Sequence, residues 1–163
     1  MHNNVIEYIK TIKEKFPDKF TLSKVLDVGS LDINGNNSIF FNKCVYIWLD
    51  IIQWPNVDIV KDIKDFTWRY DTIISTEMLE HNKYWKEWLL NMYNILNEWW
   101  LLLVTCANVN RKEHWTTRTT PQDSPATNDY YKNISPSEIL EILPNAIVSE
   151  DNSKLDTYFY LIK

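Results

Sequence analysis

Carboxylates stand directly after apolar segments of this chain, where they could accept hydrogen bonds from a polar ligand. Asp27 and Gly29 close the apolar run that begins at Lys24, and Asp50 ends a second run. An aspartate at the end of a strand can accept two hydrogen bonds from ribose hydroxyls, although an ordinary turn aspartate would give the same pattern. Gly29 lets the backbone turn tightly and approach a ligand closely. Together these residues indicate a site for a nucleotide-type cofactor.

Further candidates follow two later strand-like segments. Asp62 and Ile63 could frame an adenine with one polar and one apolar contact, but Asp62 could equally cap a helix. Thr76 and Glu77 follow the apolar run that begins at Tyr70. The GxGxxG fingerprint of dinucleotide-binding folds is absent, which disfavours a nicotinamide cofactor.

The polar segment 108–133 follows a strand-like run and has no convincing periodicity, so we expect it to form the substrate side. In it, His114 could act as a general base near neutral pH, and Arg111 or Arg118 could hold an anionic substrate. His81 is a second candidate base, although each histidine could equally be structural. The chain has no CxxC motif and no Cys/His cluster, so we expect no metal site.

Hydrophobic periodicity predicts the elements that position these residues. Helical spacing predicts helices at 3–16, 36–43, 82–97 and 136–143, and apolar runs predict strands at 24–29, 44–50, 57–60, 70–75, 101–106, 147–149 and 157–162. Ser135 is expected to cap the last helix ahead of Pro136. Alternating strands and helices predict an α/β fold with a mostly parallel sheet, whose ligands bind beyond the carboxyl ends of the strands.

Composition narrows the class of protein. A length of 163 residues with 45% hydrophobic residues fits one domain with a sizeable core. The net charge of −5 argues against general binding to nucleic acid or to anionic membranes. Met1-His2-Asn3-Asn4 lacks the basic and apolar regions of a signal peptide, and Cys44 and Cys106 are expected to be buried free thiols, so we expect a cytoplasmic protein.

Tryptophan stands at positions typical of glycine. The chain has eight Trp and two Gly, whereas average usage of about 7% would give roughly eleven Gly. The suspect positions are Trp48, Trp54, Trp68, Trp99, Trp100 and Trp115. A gene in which UGA encodes glycine, translated with a table in which UGA means tryptophan, would give this pattern; the alternative is six genuine tryptophans. Genuine indoles at several such sites are expected to overpack a tight core. Trp85 and Trp88 lie three apart on one helix face and are expected to be genuine.

Four stretches together resemble the class I S-adenosylmethionine-dependent methyltransferases, of the type 11-like group. They are VLDVGS at 25–30, YIWLDI at 46–51, YDTIISTEMLEH at 70–81 and LNEWWLLL at 96–103. The third stretch is the most specific. In the fourth, Trp99-Trp100 occupies the place of the family's Gly-Gly pair. The chain departs from the family pattern at Leu31, which replaces the usual second glycine of the first loop.

The resemblance implies one domain over 1–163, with an N-terminal helix within 1–16 and a substrate loop at 108–133. It implies a Rossmann-like, doubly wound, mostly parallel seven-stranded sheet with an antiparallel C-terminal strand. The implied activity is methyl transfer from S-adenosylmethionine to a small polar acceptor. The implied cofactor residues are Asp27, Gly29 and Ser30 at the methionine and ribose portion, Asp50 at the ribose, Ile51 at the adenine, Asp62 and Ile63 at its edge, and Thr76, Glu77 and His81 at the reactive end.

Two other classes of function stay open. A non-catalytic binding or scaffold module could keep this fold, especially if genuine tryptophans fill the pocket. A nicotinamide-dependent oxidoreductase would need GxGxxG and usually a second domain, and the sequence has neither. The helix at 3–16 is expected to pack on the sheet and not over the substrate site.

Overall fold

A single sheet organises the molecule in the computed structural model, which describes residues 2–33, 35–124 and 129–163. Its strands within those ranges are β1 Lys24–Val28, β2 Val45–Asp50, β3 Ile59–Val60, β4 Tyr70–Thr76, β5 Leu96–Ala107, β6 Ile147–Glu150 and β7 Asp156–Ile162. The seven strands lie in the order β3-β2-β1-β4-β5-β7-β6. β7 runs antiparallel to both of its neighbours, β5 and β6, whereas the pairs among β1 to β5 are parallel. The predicted doubly wound sheet with an antiparallel C-terminal strand is confirmed.

Three α-helices flank the sheet in the described ranges: α1 Asn3–Lys15, α2 Trp85–Ile95 and α3 Pro136–Ile142. The Ser135 side chain accepts a hydrogen bond from the Glu138 backbone N–H, and the Glu138 carboxylate accepts one from the Ser135 N–H, which completes the predicted cap. None of these helices is both long enough and apolar enough to cross a membrane.

The helices bury apolar residues on both faces of the sheet. Val5 and Ile9 of α1 pack in one cluster with Val25 of β1. Trp88 of α2 packs in the other cluster with Leu26 of β1. Val25 and Leu26 are neighbours in one strand, and successive side chains of a strand point to opposite faces. The expected packing of the N-terminal helix on the sheet is therefore confirmed.

Several element boundaries differ from the sequence prediction. Helix α2 begins at Trp85 and not at 82, because the Asn82 side chain accepts a hydrogen bond from the Tyr84 N–H and holds a turn there. Strand β5 begins at Leu96 and not at 101, with an irregularity in its pairing to β4 just before Leu101. The short helix predicted at 36–43 is the 3-10 helix Asn37–Phe40.

The tryptophans divide into two groups by burial. Trp85 and Trp88 are in the core, with 2% and 4% of their surface exposed. None of the six suspect residues is in the fully buried core: Trp68 and Trp99 are exposed and the other four are half-buried, although Trp48 Nε1 itself is buried. The expected overpacking of a tight core is therefore not seen at these positions. Trp99 lies in the irregular part of β5 with φ 69° and is 78% exposed, and Trp115 has φ 48°. Both adopt the left-handed backbone conformation that favours glycine.

Candidate functional site

A cavity lies at the carboxyl ends of β1, β2 and β4, where a parallel sheet of this kind binds ligands. The predicted cofactor residues that line it are Asp27, Gly29, Ser30, Asp50, Ile51, Ile63, Thr76 and Glu77. His81 lines it as well, whereas Asp62 and His114 are outside its lining. The strands thus bring together residues that are far apart in sequence.

The Asp27 side chain accepts hydrogen bonds from two other side chains at one side of the cavity. The Tyr46 hydroxyl donates to Asp27 Oδ2 at 2.7 Å, and Asn37 Nδ2 donates to Asp27 Oδ1 at 3.2 Å. Asn37 Nδ2 also lies 3.2 Å from Thr76 Oγ1. Burial raises the pKa of Asp27 to about 7, and the hydrogen bonds from Tyr46 and Asn37 oppose that rise. Sequence reasoning missed Asn37, whose role depends on how the loop after β1 folds back, and Tyr46, which reaches Asp27 because β2 pairs with β1.

Gly29 forms the floor of the cavity. Its φ is 75°, and its N–H donates to the Leu49 carbonyl at 3.0 Å. A Cβ built on Gly29 would overlap the Met78 side chain, reaching within 2.7 Å of its Cβ. Both the backbone conformation and the lack of space therefore require glycine here.

Asp50 places a buried carboxylate at the end of β2. It is 8% exposed, and its Oδ1 accepts a hydrogen bond from the Ile52 N–H at 3.3 Å. Burial raises the pKa of Asp50 to about 6, against hydrogen bonds from neighbouring backbone N–H groups. Lys61 also lines the cavity and was missed, because no local pattern distinguishes it from other surface lysines.

Of the predicted pair Asp62 and Ile63, only Ile63 belongs to the cavity lining. Ile63 is 1% exposed and lines the cavity. Asp62 caps the 3-10 helix Ile63–Asp65 by accepting a hydrogen bond from the Lys64 N–H at 2.9 Å. Its carboxylate therefore serves the capping role that the sequence had left open.

The Glu77 carboxyl group has, within the described chain, one oxygen that takes part in a hydrogen bond and one that does not. Its Oε1 accepts from the Thr105 hydroxyl at 2.8 Å, while its buried Oε2 has no partner among the residues described. Its φ of 54° is held by a hydrogen bond from its N–H to the Thr105 carbonyl at 2.9 Å. Burial and the charge of Asp156 raise the pKa of Glu77 to about 7.

The two candidate histidines lie side by side, close to the buried Glu80. The ring centroids of His81 and His114 are 5.2 Å apart, with the planes nearly perpendicular. Burial lowers the pKa of His81 to about 3 and also lowers the pKa of His114, so both imidazoles are neutral at pH 7. His81 borders the main cavity, and His114 lines a second cavity together with Arg111 and His2.

The two arginines of the predicted substrate loop are bound within the protein. Arg111 forms an ion pair with Asp156 at 3.1 Å, and Arg118 forms one with Glu113 at 2.7 Å. Neither guanidinium belongs to the main cavity's lining as described. Within the predicted loop 108–133, residues 125–128 lie outside the described residues.

Solved methyltransferases have the same fold as this chain. It matches 1,6-didemethyltoxoflavin-N1-methyltransferase of Burkholderia thailandensis, with bound S-adenosylhomocysteine, at a TM-score of 0.65 and 11% identity, over 96% of this chain and 76% of that one. It matches the CurJ carbon methyltransferase at 0.66 and 15%, over 96% and 53%. It matches the magnesium protoporphyrin IX methyltransferase of Synechocystis, with bound S-adenosylmethionine, at 0.59 and 11%, over 96% and 76%.

Comparison by sequence adds nothing to this, since no family model and no curated protein matches the chain. The chain spans about half of the CurJ structure and about three quarters of the other two. The structural likeness shows that this chain has the fold of the class I S-adenosylmethionine-dependent methyltransferases. What the chain does must be argued from its own cavity.

Proposed function

We propose that the chain binds S-adenosylmethionine in the main cavity and transfers its methyl group to a small polar acceptor. The observation that supports this proposal is that the cofactor residues predicted at the ends of β1, β2 and β4 line one cavity. The cavity lies at the edge of the sheet where this class of fold binds its ligands. Solved proteins with this fold were crystallised with this cofactor or its demethylated product.

The residues present fit the cofactor. Asp50 would accept hydrogen bonds from the ribose hydroxyls, which are strong when the acceptor is ionised. Ile51 and Ile63 give the cavity apolar surface for the adenine. Gly29 keeps the floor open at a point where any Cβ would meet Met78.

Glu77 adds an unpaired hydrogen-bond acceptor to these cavity residues. Its Oε2 is buried and has no hydrogen-bond partner within the described ranges. A buried polar atom without a partner is costly, so its position in the cavity lining favours a ligand that donates to it.

Methyl transfer does not require one particular catalytic side chain. S-adenosylmethionine supplies an electrophilic methyl group on a sulfonium: the acceptor would attack the methyl carbon in line, and the sulfur would leave as the thioether of S-adenosylhomocysteine. The chain must hold the acceptor close to that group and exclude water. His81 and Trp115 line the side of the cavity that faces the loop after β5, and Trp115 also lines the second cavity. The acceptor would therefore enter beside these two rings.

A non-catalytic binding module is the second candidate, and one observation favours it. The Trp115 indole lines the cavity and lies within 5.1 Å of the His114 ring and 6.1 Å of the His81 ring, centroid to centroid. These closely packed rings, one pair edge to face and the other tilted, would narrow the side from which an acceptor enters. Such a module would bind the cofactor, or a related nucleoside, without turning it over.

Calorimetric titration of S-adenosylmethionine tests the proposal. Asp50→Asn removes a carboxylate from the cavity lining, and Asp62→Asn is the matched control, since Asp62 lies outside it. We expect the wild type and Asp62→Asn to bind alike, and Asp50→Asn to bind about tenfold or more weakly because hydrogen bonds to a charged group contribute about 1.5–3 kcal/mol.

No binding by folded wild-type protein would contradict the proposal, and so would an equal loss in both variants. Formation of S-adenosylhomocysteine with a panel of small hydroxyl and amine compounds then separates the two candidate functions. Product formation identifies an enzyme, and tight binding without any product supports the non-catalytic module.

A further inference from the structure

Glu80, His81 and His114 form a cluster that the methyl-transfer proposal does not use. One possible ligand atom from each of the three lies within 4.8 Å of the others. Glu80 and His81 belong to the 3-10 helix Leu79–His81 after β4, and His114 belongs to the loop after β5. We propose that this cluster binds one divalent transition-metal cation, at the border of the main cavity.

Glu80 is the strongest reason for the proposal. The residue is 0% exposed, and its Oε1 accepts a hydrogen bond from the Ala107 N–H at 3.2 Å. Its Oε2 is buried and has no partner in the described part of the chain. Among the ion pairs found there, none joins Glu80 to a lysine or arginine. A buried carboxylate is costly unless it is paired, protonated or bound to a metal. Burial raises the pKa of Glu80 well above its ordinary value, so a bound metal ion would take the place of a proton.

His114 is held in the tautomer that a metal ligand needs. Its Nδ1 lies 3.0 Å from the Lys112 carbonyl oxygen and 3.1 Å from the Tyr131 hydroxyl. A carbonyl can only accept, so the Nδ1–H donates to it and the lone pair is left on Nε2. That Nε2 is buried, has no partner in the described ranges and lies 3.9 Å from Glu80 Oε1. Metal-binding histidines commonly donate their other ring N–H to a backbone carbonyl in this way.

His81 completes the set. Both of its ring nitrogens are buried and lack a hydrogen-bond partner within the described residues. Ligand bonds of roughly 2.0–2.2 Å place neighbouring ligand atoms about 3–3.5 Å apart, so small side-chain movements would close the cluster on an ion. Three protein ligands leave at least one position open, as in catalytic metal sites. Two imidazoles and one carboxylate suit zinc, iron, cobalt or manganese better than calcium.

The location gives the metal a use that rests on the proposed methyl transfer. His81 lines the main cavity beside Glu77, so the open position would face the acceptor. A divalent ion binds a hydroxyl oxygen and lowers its pKa. The hydroxyl oxygen would then form a bond to the methyl carbon while the carbon–sulfur bond breaks and its electron pair stays on sulfur. The hydroxyl proton would pass to solvent. The acceptor class inferred is therefore a small molecule with a hydroxyl group.

We expected no metal site from the sequence, in which these three residues form no recognisable motif. The ligands are not spaced as a local motif, since His114 comes from a different loop. The competing explanation is aromatic packing: His81 and His114 pack against Tyr131, with ring centroids 5.5 Å and 5.2 Å from it. Packing alone would hold the rings in place but would bind no metal.

Titration of Co²⁺ without S-adenosylmethionine separates these explanations. Visible absorption reports coordination, and calorimetry with Zn²⁺ gives the stoichiometry. The variants are Glu80→Gln, His81→Asn and His114→Asn, with thermal melts to show that each is folded. The control is His2→Asn, which alters the chain's third histidine, outside the cluster.

We expect one equivalent of Co²⁺ in the wild type and in His2→Asn, and affinity reduced more than about tenfold in each folded cluster variant. The inference is overturned if folded wild-type protein takes up no Co²⁺, if the cluster variants bind as well as wild type, or if His2→Asn abolishes binding. Binding of S-adenosylmethionine is measured separately, so that loss of the metal inference leaves the proposed function standing, and the reverse.

Discussion

Gly29 and Met78 lie so close together that a Cβ on Gly29 would come within 2.7 Å of the Met78 Cβ. This contact joins the loop after β1 to the loop after β4, the two segments that carry most of the polar residues of the cavity. The φ of Gly29 is 75°, so the position is closed to other residues by conformation as well as by space. The cavity floor therefore depends on one residue.

Gly29→Ala is expected to lower stability and weaken cofactor binding. The positive φ costs roughly 1–2 kcal/mol, and overpacking against Met78 costs about 1–3 kcal/mol more. Gly35→Ala is the matched control: Gly35 also has positive φ, 92°, but a Cβ there meets nothing within 4 Å. Chemical denaturation of both variants should show the larger loss for Gly29→Ala. Equal losses would mean that the Met78 contact does not matter.

Cofactor affinity is expected to fall in acid because Asp50 must be ionised to accept hydrogen bonds. Its pKa in the cavity is about 6. Below that pH, protonation competes with binding, and affinity should drop by about tenfold per pH unit. Calorimetry between pH 5 and 8, in buffers of equal ionic strength, should show this drop for wild type and a much flatter profile for Asp50→Asn. A wild-type profile that is flat through pH 6 would contradict this role of Asp50.

The stability of the ligand-free protein has the opposite pH dependence at this residue. Folding raises the pKa of Asp50 from its ordinary value of 3.8 to about 6. The folded state then holds more protons than the unfolded state across that window, so the contribution of Asp50 is complete below it and is lost as pH rises through 6. Denaturant titrations should show a shallower decline across this window in Asp50→Asn than in wild type. Identical slopes in the two proteins would show that Asp50 does not titrate with a raised pKa.

Trp99→Gly is expected to stabilise the protein. Trp99 is 78% exposed and has φ 69°, so glycine relieves backbone strain of roughly 1–2 kcal/mol and removes little packing. Trp68→Gly is the control, since Trp68 is also exposed, at 61%, but is not among the positive-φ residues. Glycine there should cost about 0.5–1 kcal/mol. Melting temperatures that move the same way in both variants would argue against strain at Trp99.

The gene itself tests the proposed recoding. We propose that the suspect tryptophans are glycines encoded by UGA, a reading favoured by the positive φ of Trp99 and Trp115. UGA codons at the six positions, with UGG at Trp85 and Trp88, would support recoding. UGG at all six would show that the tryptophans are genuine.

Trp115→Gly is expected to open the cavity. Trp115 lines both the main cavity and the second cavity, so removing its indole should join them. The association rate of S-adenosylmethionine, measured by stopped-flow fluorescence, should rise several-fold. Trp54→Gly is the control, because Trp54 is outside both linings, and it should leave this rate unchanged. Unaltered association in Trp115→Gly would show that the indole does not restrict entry.

Local sequence patterns were enough to predict the fold and which residues at the strand ends line the main cavity. Asp50 and Ile51 follow an apolar run, and in a parallel sheet the ends of such runs meet at one edge. The same argument placed Gly29 and Glu77 correctly in the cavity lining. Trp99 was predicted to stand at a position typical of glycine, and its φ of 69° agrees with that.

Long-range contacts could not be predicted in this way. Arg111 was one of two candidates for holding an anionic substrate, but antiparallel pairing of β5 with β7 brings Asp156 to it. Asn37 reaches Asp27 only because the loop after β1 folds back over the sheet. His114 meets Glu80 only in the folded chain. Each of these partners depends on a register or loop path that no local spacing encodes.

The most direct test of the central claim uses the two glycines of the chain, Gly29 and Gly35, which both line the main cavity. Protein labelled with ¹⁵N only at glycine gives one backbone amide signal for each, and S-adenosylmethionine is titrated against them by NMR. We predict that the signals shift with saturation, and that an equal concentration of free methionine leaves them in place. Unmoved glycine signals in a folded protein, at a saturating concentration of S-adenosylmethionine, would contradict the proposed cofactor site.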